Sequence, residues 1–347
     1  MRPRLLKKSV SMAFLSKDPG IAAENPLFCS ILANTMLSVV PGISGAGPTP
    51  EKTLLTPVLD AELIAKGAIT SVPARPDTPT GCPTPASITR SIMELCGTRA
   101  LFINAGLSHL PTVPCMDVYG EAGNDPRFMD AVPRAEALFQ SGESLGEFLS
   151  RMCDLLIVGE CVPGGTTTAL CVLRALGYPA RVSSSFIENP VKMKEEVWNA
   201  VAGRIRAEGV ESPMDILRCC GDPMIPVCAG MGSTCTRRIV LAGGTQMLAV
   251  AAVMKAMEIP LPLVATTAYV RDDPSANFCE IAERIGVEVV YVDPGFGDLG
   301  HSGLARYCIG EVKEGMGAGG AMLMAYLLGN SPSAIRAKIL ETVASYH

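Results

Sequence analysis

From about residue 97 onward, the chain alternates short apolar runs with stretches of helical periodicity. The apolar runs cover residues 99–106, 154–160, 237–244, 261–270 and 287–293. Parallel strands are buried on both faces and therefore read as continuous apolar runs, and the helices between them return the chain across the sheet. The pattern predicts a three-layer α/β fold with a mostly parallel, Rossmann-like sheet flanked by helices.

The first hundred residues have a different composition. Proline and glycine are concentrated in residues 39–57 and 71–85. Because proline fixes turn dihedrals and cannot donate to a sheet ladder, these segments suit ordered loops over strand ends, with a linker as the alternative. The apolar and acidic run 58–67 lies between them, and we expect it to dock on the core.

The domain organisation follows from these differences. We predict an N-terminal extension, an α/β domain, and a smaller helical subdomain that both ends of that domain contribute. The ranges are 1–30 for the extension, 31–347 for the domain, and about 31–95 with 328–347 for the subdomain. The basic start resembles a signal peptide, but it has a short apolar stretch and lacks a small-residue cleavage site, so a cytosolic extension is favoured. Translation could begin at Met1 or Met12.

Bulk composition narrows the function classes. A net charge of -5 argues against nucleic acid as a partner. No apolar window reaches the roughly 18 residues that a membrane span needs, because glycine, proline or charge interrupts each one. Thirteen cysteines form no C-x-x-C pair and only three histidines are present, which argues against structural zinc. The charge balance instead favours a small-molecule partner. Many cysteines stand within apolar segments, which favours a reducing, cytoplasmic location.

Two glycine turns link an apolar strand to an apolar helix. The first lies in "GECVPGGTTTAL", residues 159–170, and the second in "VLAGGTQML", residues 240–248. A helix N-terminus offers free N–H groups and a positive dipole end, which suit a phosphate group, whereas an empty capped turn is the alternative. The candidate phosphate contacts are Gly164, Gly165, Thr166, Thr167, Gly243, Gly244 and Thr245.

A third turn places a carboxylate at its mouth. Glu314 precedes the glycine-rich stretch that contains Gly315 and Gly317 and leads into an apolar helix. A carboxylate that is partly shielded from water has a raised pKa and can accept a proton near neutrality, as a general base must. An ordinary first-turn glutamate that the helix dipole stabilises is the alternative.

Several segments, taken in order over roughly residues 36–330, resemble one enzyme family. They are "PGISGAGPTPEKTLLTPVLDAEL", "TPTGCPTPASITRSIMEL", "FINAGLSHLPTVPCMDVYGEAGNDPR", "AVPRAEALFQSGE", "GECVPGGTTTAL", "SPMDILRCCGDPMIPVCAGM" and "KEGMGAGGAMLMAYLL". The family is the nicotinate-nucleotide:dimethylbenzimidazole phosphoribosyltransferases, and the resemblance is to its archaeal and cyanobacterial branch.

The resemblance implies a reaction and roles for named residues. Nicotinate mononucleotide would give its phosphoribosyl group to a benzimidazole-type nitrogen, without cofactor or metal, in a homodimer. Glu314 would be the base, Glu160 would help to hold the attacking base or the ribose, and the first glycine turn would hold phosphate. Lys194 would match a phosphate-contacting lysine, with Lys192 as the alternative.

Departures from the family pattern leave the acceptor open. Val162 and Gly165 stand where a glycine and an asparagine are usual, and Lys313 replaces the glycine before the catalytic glutamate. The acceptor could be dimethylbenzimidazole, another benzimidazole, or a purine such as adenine. Two rival functions are a catalytically silent nucleotide-binding homologue and a small-molecule kinase. A kinase would need magnesium and ATP, and the turn lacks the phosphate-loop lysine.

Overall fold

A single parallel sheet organises the molecule. The computed structural model describes residues 14–47 and 49–346, and in them seven strands pair in the order β3-β2-β1-β4-β5-β6-β7. The strands are β1 (Pro26–Ala33), β2 (Leu101–Gly106), β3 (Met116–Asp117), β4 (Leu155–Cys161), β5 (Arg238–Ala242), β6 (Leu263–Thr267) and β7 (Val289–Val292). The predicted α/β fold is confirmed, and the five predicted strands are β2, β4, β5, β6 and β7.

Helices cover both faces of the sheet. Within the described residues they are α1 (Pro50–Lys66), α2 (Pro85–Leu95), α3 (Ala135–Leu149), α4 (Gly165–Ala175), α5 (Val191–Glu208), α6 (Pro213–Cys220), α7 (Met224–Thr234), α8 (Thr245–Ala256), α9 (Ala268–Arg271), α10 (Phe278–Ile285), α11 (Ser302–Ala305), α12 (Ala318–Leu327) and α13 (Pro332–Ala344). Helices α3 to α8 and α10 contribute to one hydrophobic cluster, and α1, α2, α12 and α13 to the other. No helix in the described parts of the chain is long and apolar enough to cross a membrane.

The N-terminal boundary differs from the sequence expectation. Residue 30 lies inside β1, which occupies the centre of the sheet between β2 and β4. Phe14 and Leu15 are also buried, and Asp293 N–H donates to Phe14 O at 2.8 Å, which ties this segment to the end of β7. Residues 26–30 therefore belong to the sheet rather than to an extension, whereas Met1 and Met12 lie outside the described residues.

The prediction of loop over residues 39–57 is wrong in its second half, because helix α1 begins at Pro50. Thr49 caps this helix by accepting a hydrogen bond from Lys52 N–H at 3.3 Å, and a proline at the first helical position needs no N–H partner. Gly67 ends the helix in the left-handed conformation at φ 83°. The run 58–67 docks on the core as expected, since Ala61, Leu63 and Ile64 are buried.

Helices from the two ends of the chain lie together. Helix α2 packs against both α1 and α13, and also against α12 on the sheet. All four helices share one hydrophobic cluster with residues of the strands. The separate helical subdomain stays a prediction, but helix α1 and the first residue of α2 line a large cavity.

Candidate active site

A cavity opens where the strand order changes direction. From β1 the chain continues toward β2 and β3, and from β4 it continues toward β5, β6 and β7. Ligands of open α/β sheets bind beyond the carboxyl ends of the strands at such a switch point. Here the cavity has a volume of about 1890 Å³, and Glu160 and Cys161, the last two residues of β4, line it.

The cavity gathers segments that are far apart in sequence and brings most of the predicted residues together. The predicted residues that line it are Glu160, Gly164, Gly165, Thr166, Gly244, Thr245, Glu314 and Gly315. Four others do not line it: Thr167, Gly243, Gly317 and Lys194. Gly243 directly follows β5 and donates its N–H to Ala265 O of β6 at 3.0 Å. Gly317 packs against Phe28 and Gly159. These two glycines therefore belong to the turns at positions that face the sheet rather than the cavity.

The turn before α4 requires glycine at one position. Gly164 is left-handed at φ 80°, and a Cβ there would stand 3.1 Å from Ser38 N and from Thr35 Cγ2. The N–H groups of Gly165 and Thr167 donate back to Val162 O and Gly164 O, at 2.8 and 2.9 Å. Thr166 lines the cavity, whereas Thr167 is fully buried behind it and its hydroxyl has no hydrogen-bond partner among the described residues.

Gly165 is a glycine because a side chain from another helix occupies its space. A Cβ at this position would lie 2.2 Å from Gln246 Nε2, a distance that real Cβ atoms do not show. Gln246, in the first turn of α8, donates this amide to Glu160 Oε2 at 2.6 Å and lines the cavity. The amide group of Gln246 thus stands where a side chain at residue 165 would point.

Glu160 is a buried carboxyl group with a strongly perturbed pKa. It is 4% exposed, and its Oε2 accepts hydrogen bonds from Gln246 Nε2 and from Val162 N–H. Burial, together with the charges of Asp222 and Glu314, raises its pKa to about 8, and the two hydrogen bonds act in the opposite direction. At neutral pH the group therefore carries a proton that it can donate to a ligand.

Asp222 stabilises the start of α4 through a hydrogen bond from Thr168. Its Oδ2 accepts from Thr168 Oγ1 at 2.6 Å, and its Oδ1 accepts from Met224 N–H at 3.1 Å. Burial raises its pKa to about 6, which the hydrogen bonds oppose. Because Thr168 belongs to the first turn of α4, this carboxylate fixes the orientation of the turn without lining the cavity itself.

Glu314 lies in a nest of hydrogen-bond donors at the cavity wall. Thr267 N–H and Thr266 Oγ1 donate to Oε2 at 3.0 and 3.2 Å. Gly315 N–H and Gly319 N–H donate to Oε1 at 3.1 and 3.3 Å. Burial raises its pKa to about 7, and these four donors hold it below the value that burial alone would give. The carboxyl group is oriented firmly and still changes protonation near neutrality.

The backbone around Glu314 is strained. Val312, Lys313 and Met316 have left-handed φ angles of 66°, 60° and 47°, a conformation that costs a non-glycine residue roughly 1–2 kcal/mol. Val312 N–H donates to Ser185 O and Met316 N–H donates to Glu160 O, both at 3.0 Å. Such strain persists only where the surroundings over-determine it, and it concentrates at functional sites. The bond from Met316 also joins the two glutamate segments directly.

Two lysines lie at one wall of the cavity, Lys313 on its surface and Lys194 behind it. Lys313 Nζ donates to Ser184 O at 2.7 Å and pairs with Asp273 Oδ2 at 3.4 Å. Lys194 Nζ donates to Ser183 O at 2.6 Å and is 2% exposed, whereas Lys192 is exposed. Burial lowers the pKa of Lys194 to about 7. Lys313 is itself a lining residue of the cavity, whereas Lys194 is separated from it by Ser183, which lines the cavity and accepts its hydrogen bond.

Known proteins resemble this chain in two ways, some in sequence and others in fold. No protein-family model matches it. UPF0284 proteins of Methanosarcina mazei and Methanothermobacter thermautotrophicus are 42% and 41% identical to it over 341 and 335 residues, covering 94% and 93% of this chain and 97% and 93% of theirs. The chain belongs to the UPF0284 family.

Solved structures extend the likeness to the fold. The nicotinate-nucleotide-dimethylbenzimidazole phosphoribosyltransferase of Thermus thermophilus has a TM-score of 0.62 to this UPF0284 chain at 16% identity, covering 97% of it and 96% of the Thermus chain. A CobT structure from the same organism gives 0.61 at 16% identity, covering 96% and 95%. The resemblance to this family is confirmed at the level of fold.

Sequence reasoning did not find three polar residues of this UPF0284 site. Gln246 and Asp222 act on Glu160 and on the first turn, and Asp60 of α1 lines the cavity and is 8% exposed. Gln246 directly follows the second glycine turn, which was a usable signal. Asp60 and Asp222 lie within two of the segments that carry the family resemblance, but neither was given a role there, and only the folded chain shows that they reach the site.

Proposed function

We propose that this protein transfers the phosphoribosyl group of nicotinate mononucleotide to a ring nitrogen of a benzimidazole-type or purine base. The observation that carries this proposal is the pair of carboxyl groups, Glu160 and Glu314, on one cavity at the strand switch point. Their pKa values are raised to about 8 and about 7. One group is therefore protonated and the other is poised to accept a proton at the same pH. The shared fold supports the assignment to the phosphoribosyltransferases.

The chemistry divides between the two glutamates. The attacking azole nitrogen forms a bond to C1′ of the ribose as the bond from C1′ to the pyridinium nitrogen breaks, and that electron pair leaves with nicotinate. Glu314 takes the proton of the azole N–H group. Glu160, fixed by Gln246, donates a hydrogen bond that positions the ribose or the incoming base. The products are an α-riboside 5′-phosphate and nicotinate, and we place the reaction in assembly of the lower ligand of cobamides.

The phosphate end of the substrate would lie at the glycine turns. Thr166 at the start of α4 and Gly244 and Thr245 at the start of α8 line the same cavity, so two positive helix ends face one space. We propose no cofactor or metal for the reaction. The proposed assembly is a homodimer.

The direct test incubates the protein with nicotinate mononucleotide and a panel of benzimidazoles and purines and measures nicotinate by chromatography. We expect release that depends on an added base. An unchanged rate in the presence of a metal chelator would exclude the kinase alternative, which needs magnesium. If no base in the panel supports release while nicotinate mononucleotide still binds, the protein is a silent nucleotide-binding homologue instead.

A further inference from the structure

Asp60 is a buried carboxyl group on the cavity wall that the proposed reaction does not use. Its side chain accepts a hydrogen bond from Thr84 Oγ1 at 3.1 Å and a weak one from the Cys161 thiol, with Sγ 3.7 Å from Oδ2. A carboxylate offers about four acceptor positions. Asp60 therefore keeps acceptor capacity on the cavity side.

A second buried carboxyl group on the same helix provides a comparison. Glu62 has a fully buried side chain and accepts from Lys66 Nζ, from the N–H and hydroxyl groups of Thr70, and from Ser71 Oγ, at 2.5 to 3.2 Å. These donors lower its pKa to about 2 against the effect of burial. Glu62 does not line the cavity. The helix thus satisfies one carboxylate fully within the protein and leaves the other open to a ligand.

The contacts of Asp60 connect it to the segments that carry Glu160 and Glu314. Cys161, which contacts it, directly follows Glu160. Thr84, its other partner, precedes Pro85, and a Cβ on Gly315 would stand 3.3 Å from Pro85 Cγ. The wall that carries Asp60 therefore joins the segments after Glu160 and Glu314. The turn at Gly164 is backed by Thr35 and Ser38 instead.

Apolar side chains stand near Asp60 on the cavity lining, among polar ones such as Thr56 and Thr84. Leu55 and Leu59 of α1, together with Ile69 and Val72, line the same cavity. Such a surface suits the flat ring of a heterocyclic base, and Asp60 supplies a polar contact on it. An acceptor base with only methyl groups on its six-membered ring would cover this carboxylate without pairing it, which is unfavourable.

We propose that Asp60 selects the acceptor base, favouring one that carries a hydroxyl or amino group on its six-membered ring over one that carries only alkyl groups. This inference rests on the proposed function. The donor group of the base hydrogen-bonds to the carboxylate of Asp60, while Glu314 takes the proton from the azole nitrogen at the other end of the ring system. Burial raises the pKa of Asp60 to about 7, so the contact is strongest above that pH, where the group is ionised. A hydrogen bond to a charged group is the stronger kind, and it adds selectivity as well as affinity.

The test compares two bases of nearly equal size, 5-hydroxybenzimidazole and 5-methylbenzimidazole, with nicotinate mononucleotide saturating. We expect kcat/KM for nicotinate release to favour the hydroxyl compound by about tenfold or more, the range that hydrogen bonds to charged groups provide. In Asp60→Leu this preference should fall to about one or reverse. Asp60→Asn, which keeps the size and one acceptor oxygen, should reduce it by a smaller factor.

Glu62→Gln is the matched control, because it changes a buried carboxyl group on the same helix away from the cavity. We expect it to lower thermal stability and to leave the ratio between the two bases unchanged. An equal rate with both bases in the wild type, or a preference that survives in both Asp60 variants, would overturn the inference and leave the transferase intact. Absence of nicotinate release with every base would instead overturn the proposed function.

Discussion

The two turns that carry Glu160 and Glu314 face one cavity but are built differently. Before α4, the single left-handed position is Gly164, where no strain arises. Around Glu314, the left-handed positions include Val312, Lys313 and Met316, for which the conformation is costly. The relaxed turn is the one that we propose for the phosphate group, with Thr166 on the cavity side. The strained one holds a single carboxyl group in a fixed direction, as proton removal requires.

The largest effect should come from removing the base of the strained turn. We expect Glu314→Gln to lower kcat for nicotinate release by about 10²–10⁴-fold, the usual contribution of a general base. Because the amide keeps the size of the side chain, binding of nicotinate mononucleotide should change little. The measurements are initial rates and calorimetric titration. Glu147→Gln, at an exposed ion pair on α3, is the control and should match the wild type. A Glu314→Gln rate near the wild-type rate would mean that the strained turn has no role in proton transfer.

The next largest effect concerns the pH dependence of activity, in which Glu314 and Glu160 should act in different pH ranges. Burial raises the pKa of Glu314 to about 7, and the base must be deprotonated, so activity is lost as pH falls through 7. We expect kcat/KM to drop about 50-fold between pH 7 and pH 5, with a slope that approaches tenfold per unit below about pH 6. Above pH 8 the deprotonation of Glu160, whose pKa is raised to about 8, should lower it again. A flat profile from pH 5 to 8 would contradict the assignment of Glu314.

A smaller effect is expected in the relaxed turn. A Cβ in Gly165→Ala would collide with Gln246 Nε2, so we expect a loss of about 1–3 kcal/mol in the free energy of unfolding, with weaker activity as Glu160 loses its donor. Gly203→Ala in α5, where a Cβ meets open space, should be neutral or stabilising by up to about 1 kcal/mol. Chemical denaturation measures both. Equal stability of the two variants would show that Gln246 does not occupy this space.

The smallest effect should come from relieving the backbone strain at Lys313. Lys313→Met and Lys313→Gly both remove the ammonium group that binds Ser184 O and Asp273, so both should be less stable than the wild type. Only glycine also relieves the left-handed backbone at φ 60°. We therefore expect the glycine variant to be more stable than the methionine variant by about 1 kcal/mol. The reverse order in denaturant titrations would argue against strain at this residue.

What could be predicted from the sequence differs between these turns in a physical way. Gly164 and Glu314 were found because each stands beside a glycine-rich turn that leads into an apolar helix, a local signal, whereas Glu160 received a role only through the family resemblance. The strain at Lys313 and the contact of Gln246 with Glu160 arise from segments that are distant in sequence, so no local pattern reports them. Strand β1 was missed because a single short apolar run near the N-terminus lacks the alternation that marks the later strands.

Lys194 lies near the predicted site, but its side chain does not face the cavity. The sequence placed it among phosphate contacts, and it lies in a buried cluster near the cavity. Its ammonium group, however, donates to Ser183 O rather than facing the open space. Periodicity can indicate that a lysine lies on the inner face of a helix, but the direction of its long side chain depends on the partners that the fold supplies.

The most direct test of the central claim is the stoichiometry of products from nicotinate mononucleotide and a benzimidazole, measured by liquid chromatography with mass spectrometry. The account predicts one riboside 5′-phosphate of the added base for each nicotinate released, and both products at a rate lowered by about 10²–10⁴-fold with Glu314→Gln. Release of nicotinate with free ribose 5-phosphate, or riboside formation that does not depend on Glu314, would contradict it.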